Sequence, residues 1–353
     1  MVALTAVVVA GLGSLTLASP RATASAADPY NPGESVLRIT GPAKVAGSQL
    51  ATLTLSWTTE DGQPVAGGSV ALQRRESDGS WTTVATLTTD ATGTATRQVQ
   101  SVGPSTWRAI GAAFTTTDGE DVAGVTSEPF ALAGNPQGRP VRLPAHAPEP
   151  RRLPPQPPAV GAGANPVVTR IPDVVWQRMD GISWHPGCPV GRAGLRLLQI
   201  NYWDFSGYRR RGELIAATGA IGRMGRALAA MYARHYPLRS LRPIDYFGYS
   251  RRTHGGNDYA AMAADDTSAF DCRWVDGKPG VLSPHALGYS IDINTFENPY
   301  DSVAGAVPDS WWLSRSAPRI AWRSANAPLV RLLRRYGLVW TYRRTDPQHF
   351  DLR

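Results

Sequence analysis

The chain has 353 residues, 36 basic and 28 acidic, with 29 prolines, 11 tryptophans and two cysteines, which at roughly 150 residues per domain predicts about two domains. Its 42% hydrophobic and 18% charged content excludes a wholly disordered or collagen-like chain, and two cysteines exclude a disulfide-dense mini-scaffold or a cysteine-rich zinc finger. Residues 1–166 carry 11 basic and 12 acidic side chains and residues 167–353 carry 25 and 16, so the basic surplus belongs to the C-terminal half, where it suits an anionic partner.

Taken in chain order, residues 1–26 read as a signal peptide: Val2 to Ala18 is uncharged and mostly apolar, and Ala24-Ser25-Ala26 offers a cleavage site before Ala27. No Lys or Arg precedes the run, which leaves the true start open. The competing reading, an uncleaved membrane anchor, is disfavoured because the run is short and rich in Ala and Gly. No later stretch is long and apolar enough to span a membrane. The expectation is a secreted or cell-wall protein, which argues against nucleic acid as a partner and leaves an anionic cell-wall polymer as a candidate.

Residues 30–134 read as short strands. Leu53, Leu55 and Trp57 alternate with Thr52, Thr54 and Ser56, and Asp61-Gly62, Asp78-Gly79, Thr92-Gly93 and Asp118-Gly119 supply turns. This spacing predicts an all-β, immunoglobulin-like sandwich of about seven strands. Residues 135–166 form a Pro-rich linker: ten prolines lie between Pro136 and Pro166, a composition expected to give an extended, semi-rigid tether, with His146 solvated in it.

From residue 167 to 353 the pattern is mixed. Leu214, Ala217, Ile221, Met224, Leu228 and Met231 recur at helical spacing and predict a helix over about 212–235, with His235 at its C-terminal end. A second helix is expected from Asn326-Ala327-Pro328 to Gly337. Leu195–Tyr202, Ser290–Asn294 and Leu338–Tyr342 read as strands, so an α+β domain is expected.

Two segments carry chemistry. Ser283-Pro284-His285-Ala286-Leu287-Gly288-Tyr289-Ser290-Ile291-Asp292 and Asp346-Pro347-Gln348-His349 are each unremarkable alone. Together they supply three nitrogen and oxygen ligands for a catalytic zinc ion, His285, Asp292 and His349, with a fourth position left for water. Asp346 is the candidate base for the attacking water and later the acid for the leaving amine, and Ser283 a candidate partner of one ligand.

These segments resemble the Ser-x-His-x-x-Gly-x-Ala-x-Asp and Asp/Glu-x-x-His-[Phe/Trp] signatures of the VanY-like zinc peptidases, a family of D-alanyl-D-alanine carboxypeptidases and L-alanyl-D-glutamate endopeptidases that trim peptidoglycan stem peptides. The similarity extends to the blocks around Ser183–Val190, Tyr202–Gly207 and Asp266–Arg273. It implies a Hedgehog/DD-peptidase-like α+β fold whose small antiparallel sheet carries the metal, Zn2+ as cofactor, and Arg273 as a substrate-contacting residue that polarises the scissile carbonyl or grips a carboxylate. Ser290 stands where the family prefers Ala, Tyr289 where a basic residue is common, and Leu338–Tyr342 replaces a glycine pair, which puts Trp340 in the expected pocket wall.

Cys188 and Cys272 are the only cysteines and in an exported chain are expected to form a disulfide. The rival, a nucleophilic cysteine beside His185, lacks an orienting partner. His254 is expected on a solvated loop. The expected activity is carboxypeptidase-type hydrolysis of stem peptides, the alternatives being the endopeptidase or a non-catalytic wall-binding protein of the same fold.

Overall fold

The computed structural model describes residues 34–353 except 48, 77, 102, 303 and 304, so the expected signal peptide lies outside the described residues. The first strands are β1 (Ser35–Thr40), β2 (Lys44–Ala46), β3 (Leu50–Thr59), β4 (Ser69–Arg75), β5 (Trp81–Thr88), β6 (Thr94–Gln100), β7 (Pro104–Gly111) and β8 (Phe130–Asn135). They form two facing sheets, ordered β1-β3-β6 and β2-β8-β7-β4-β5. All pairings are antiparallel except the parallel β2–β8 contact.

The period-two pattern explains the core: Leu53, Leu55 and Trp57 point inward and are fully buried, with Val70, Leu72, Trp107 and Leu132 opposite. Trp57 sets the spacing. Cβ atoms at Gly68 and Gly111 would lie 2.5 and 2.7 Å from its ring, so only glycine fits at either place.

The Pro-rich segment is extended, as its composition requires, but it is not a free tether. It lies along the C-terminal half. The buried Gln156 carboxamide accepts from Leu241 N and Tyr202 OH and donates to Leu241 O, at 2.8, 2.7 and 2.8 Å. A run of prolines lacks the N–H groups of a strand ladder, and arginines reach its carbonyls instead. Arg242 donates to Pro154 O at 2.5 Å, Arg211 to Asn165 O at 2.6 Å and Arg209 to Gly161 O at 2.6 Å. Part of the basic surplus is therefore internal scaffold, which weakens the inference from net charge to an anionic polymer. His146 is exposed, as expected. Tyr208 OH donates to Gly134 O at 2.8 Å and couples the end of the sandwich to the C-terminal half.

In that half β9 (Val167–Arg170), β10 (Leu195–Trp203) and β11 (Arg209–Ala217) make an antiparallel sheet, and α2 (Thr218–Ala233) packs on it through Ala220, Ile221, Met224, Ala227 and Met231. The predicted helix thus starts later than its pattern suggests. Leu214 is a strand residue paired with Leu198, because a neighbouring strand satisfies residues 209–217 before the helix begins. Between β9 and β10 lies α1 (Asp173–Met179), and after the sheet α3 (Asp258–Ala263) and α4 (Pro328–Arg334). The last starts with Pro at its first turn and is followed by Gly337 at φ 84°, as the breakers predict. The half is α+β within a mostly β chain.

Cys188 and Cys272 form a disulfide with Cα atoms 5.9 Å apart, which excludes a nucleophilic cysteine. It joins the start of this half to the segment that carries Arg273, across a sequence separation of 84. Replacing both cysteines by Ala is expected to lower the unfolding free energy by about 2–4 kcal/mol, read as a shift of the urea midpoint at unchanged slope.

Candidate metal centre

A small sheet brings the ligand residues together. Strand β14 (Ser290–Asp292) pairs antiparallel with β16 (His349–Leu352), and β15 (Leu338–Val339) flanks the latter. The register sets Asp292 opposite His349 and Ser290 opposite Asp351, so alternation puts these four on one face and the fully buried Ile291 and Phe350 on the other. His285 arrives from the 3-10 turn Pro284–Leu287. Gly288 closes that turn at φ 69°, and a Cβ there would lie 2.7 Å from Ala217 N, so a side chain is excluded twice over. Ser283 does not touch a ligand ring: its Oγ caps the turn by accepting from His285 N at 3.4 Å.

The buried side chains of His285, Asp292 and His349 converge. His285 Nε2 lies 3.0 Å from His349 Nδ1 and 3.1 Å from Asp292 Oδ2, and His349 Nδ1 lies 3.1 Å from Asp292 Oδ1. The outward nitrogens fix the tautomers. His285 Nδ1 sits 2.6 Å from Ala269 O and His349 Nε2 2.9 Å from Asp351 Oδ1; both partners only accept, so each outward nitrogen carries the hydrogen. Two imidazole lone pairs and a carboxylate then face one another with no donor among them, an arrangement that a cation or a proton must resolve. Two nitrogens and one oxygen fit zinc.

Without a cation the proton goes to His349. Burial works against the charged ring, but the bonds to Asp292 and Asp351 outweigh it and push this histidine up to about 10. Burial alone would raise Asp292, and the contacts with His285 and His349 instead hold it well below the usual carboxylate range. Asp351 is held low in the same sense by His349 and by Ser290 Oγ, which donates to it at 2.6 Å. Ser290, unusual against the signature, therefore orients the carboxylate behind a ligand. Asp351→Asn is expected to weaken zinc affinity about 10- to 100-fold with the fold intact, measured by competition with a chromogenic chelator.

Beside the three candidate ligands opens a cleft of about 270 Å³, lined among others by Asp258, Arg273, Lys278, Tyr300, Tyr342 and Asp346. Asp346 Oδ1 is buried and has no hydrogen-bond partner. Burial, aided by the charge of Asp292, pushes its carboxyl up to about 7, in the range where a carboxylate can both take and return a proton. Arg273 is fixed rather than free, with Nη2 2.9 Å from Asp258 Oδ2 and Nε 3.3 Å from Asp271 Oδ2.

The structure thus brings together His285, Asp292, His349, Asp346 and Arg273, and moves other residues out of the site. Trp340 and Trp322 both donate to Pro347 O, at 2.8 and 2.7 Å, so Trp340 braces the loop behind Asp346 and is not among the cleft-lining residues. His254 is not solvated: it stacks on Trp274 at 4.6 Å and meets His185 edge-on at 4.7 Å. His185 Nε2 lies against the carbonyls of His254 and Cys272, at 3.1 and 3.0 Å, a structural brace. The ring of His235 stacks on Trp203 at 4.8 Å. Asp351 and Asp258 were missed. The first was legible as the same-face neighbour of His349 on a strand, whereas nothing in the sequence links Asp258 to Arg273.

Residues 276–352 match the family model described as D-alanyl-D-alanine carboxypeptidase. The resemblance drawn from the two signatures is borne out over this stretch, which holds Ser283, His285, Asp292, Asp346 and His349, whereas Arg273 lies just outside it. Site and match together support a relation to peptidoglycan-related peptidases over this stretch. No curated protein matches the chain. Among solved structures, two of the CARDB domain of a Pyrococcus furiosus protein are similar. The solution structure is 14% identical, covering 29% of this chain and 95% of that one at a TM-score of 0.21. The crystal structure, in complex with di-metal ions, is 13% identical, covering 31% and 94% at 0.21.

Proposed function

We propose that the protein is an exported, zinc-dependent peptidase that removes a terminal residue from peptidoglycan stem peptides. The observation that carries this reading is the convergence of two imidazole lone pairs and a carboxylate beside the unpartnered, raised Asp346 carboxyl. His285, Asp292 and His349 hold the ion, which when bound supplies Lewis acidity toward the scissile carbonyl and lowers the pKa of water.

Asp346 accepts the proton of the attacking water and returns it to the leaving amine. Arg273, held in place by Asp258 and Asp271, presents guanidinium N–H donors at a fixed position for the oxygen that becomes negative in the transition state. Tyr342, whose ring centroid lies 5.0 Å from that of His349, covers one side of the cleft. Export rests on the apolar N-terminal run and on the disulfide, and among the described residues no helix is long and apolar enough to cross a membrane.

Mass spectrometry of stem peptides incubated with the zinc-loaded protein tests the reading. Loss of one terminal residue, abolished by a chelator and restored by zinc, is expected. A cut between the first two residues would assign the endopeptidase instead, and no cleavage by protein with bound zinc would leave a binding protein.

A further inference from the structure

The chain holds 34 arginines and two lysines, and one of the two, Lys278, lies in the cleft. Strands β12 (Trp274–Val275) and β13 (Lys278–Leu282) form a hairpin closed by the pair Val275–Lys278 around Asp276-Gly277, with Gly277 at φ 72°. Asp276 anchors this tip. Its buried carboxylate takes Arg252 Nε at 2.6 Å and Tyr259 OH at 2.7 Å. The backbone two residues on is therefore fixed at the rim, while the Lys278 side chain is exposed.

The charges in the cleft and just behind its rim divide unequally. Arg273 is compensated by Asp258 and Asp271, and Arg252 by Asp276. Lys278 makes no ion pair among the described residues. A guanidinium already flanked by two carboxylates gains little from a third, since its charge is matched before the substrate arrives. An ammonium on a short, anchored hairpin keeps its charge for an incoming anion.

We infer that Lys278, and not Arg273, receives a carboxylate of the substrate, so the cleft selects peptides that carry a free carboxylate near the scissile bond. The inference rests on the peptidase reading for its substrate. That carboxylate is either the C-terminal one or the side carboxylate of the stem's D-Glu residue.

The test uses the full-length, zinc-loaded protein and the pentapeptide L-Ala-γ-D-Glu-L-Lys-D-Ala-D-Ala, its C-terminal amide, and its analogue amidated at D-Glu. Binding is followed by calorimetry and turnover by mass spectrometry. The free acid is expected to exceed the C-terminal amide about 10- to 100-fold in affinity and kcat/KM, the scale of one charged hydrogen bond. Lys278→Met is expected to erase the difference, mainly through KM, and Lys278→Arg to keep most of it. A preference lost on D-Glu amidation, and erased by Lys278→Met, supports the inference with the side carboxylate as source. Equal handling of acid and amides by the wild type, or a preference that survives Lys278→Met, overturns it. An acid preference in binding that Lys278→Met erases, with no peptide cut, leaves Lys278 as the carboxylate receiver and overturns the peptidase reading.

Discussion

Asp346→Asn should bind zinc as the wild type does and lose kcat by about 10²- to 10⁴-fold, the usual contribution of a positioned general base. The substitution keeps the shape of a half-buried side chain whose Oδ1 is shielded from solvent and changes only its capacity to hold a proton. Zinc stoichiometry comes from elemental analysis and turnover from release of the terminal residue. The pH profile carries a second expectation. Asp346 must be ionised to accept a proton, so kcat/KM should fall with decreasing pH through an acidic limb. Burial and the charge of Asp292 raise this carboxyl to about 7, and a cation beside Asp292 offsets the second effect, so the limb should lie at or below pH 7. Asp346→Asn should lack it. Wild-type turnover in that variant would reassign the base.

His349→Ala should remove zinc and activity together. One of three buried ligand atoms disappears, and Asp292 loses a partner that holds it ionised. The fold should survive, since β16 stays anchored by the fully buried Phe350, and a near-native far-UV spectrum checks this. The wild type supplies the matching pH experiment. In the absence of a cation His349 keeps a proton up to about 10, so binding must expel that proton. Apparent zinc affinity should therefore rise with pH, approaching tenfold per unit for one released proton. A flat dependence between pH 6 and 8 would mean that His349 Nδ1 is not a ligand atom.

Strong local patterns carried through to the fold. The alternation Leu53-Leu55-Trp57 gave strands with one buried face, and Pro328 and Gly337 bracket the last helix. Patterns shared between helix and strand did not: Leu214 and Ala217 fit a helical face, yet pairing with residues 195–203 claimed them for a strand. Composition predicted the extended form of residues 136–166 but not their docking, because arginines far along the chain supply the donors that a Pro-rich segment lacks.

For the site, the sequence by itself determined the candidates: which side chains converge as possible ligands, which carboxylate stands free beside them, and which two cysteines pair. Residue type and order carry that information because ligand chemistry and turn geometry are local. Only the tertiary structure decided how those groups behave. The register of β14 on β16 aims the imidazoles at Asp292, the carbonyl of Ala269 and the carboxylate of Asp351 choose their tautomers, and burial raises Asp346. Asp258 and Asp271 neutralise Arg273 and leave Lys278, among the described residues lining the cleft, as the cation without an ion pair. These are effects of distance and dielectric between residues remote in the chain, and they come into being when the strands pair.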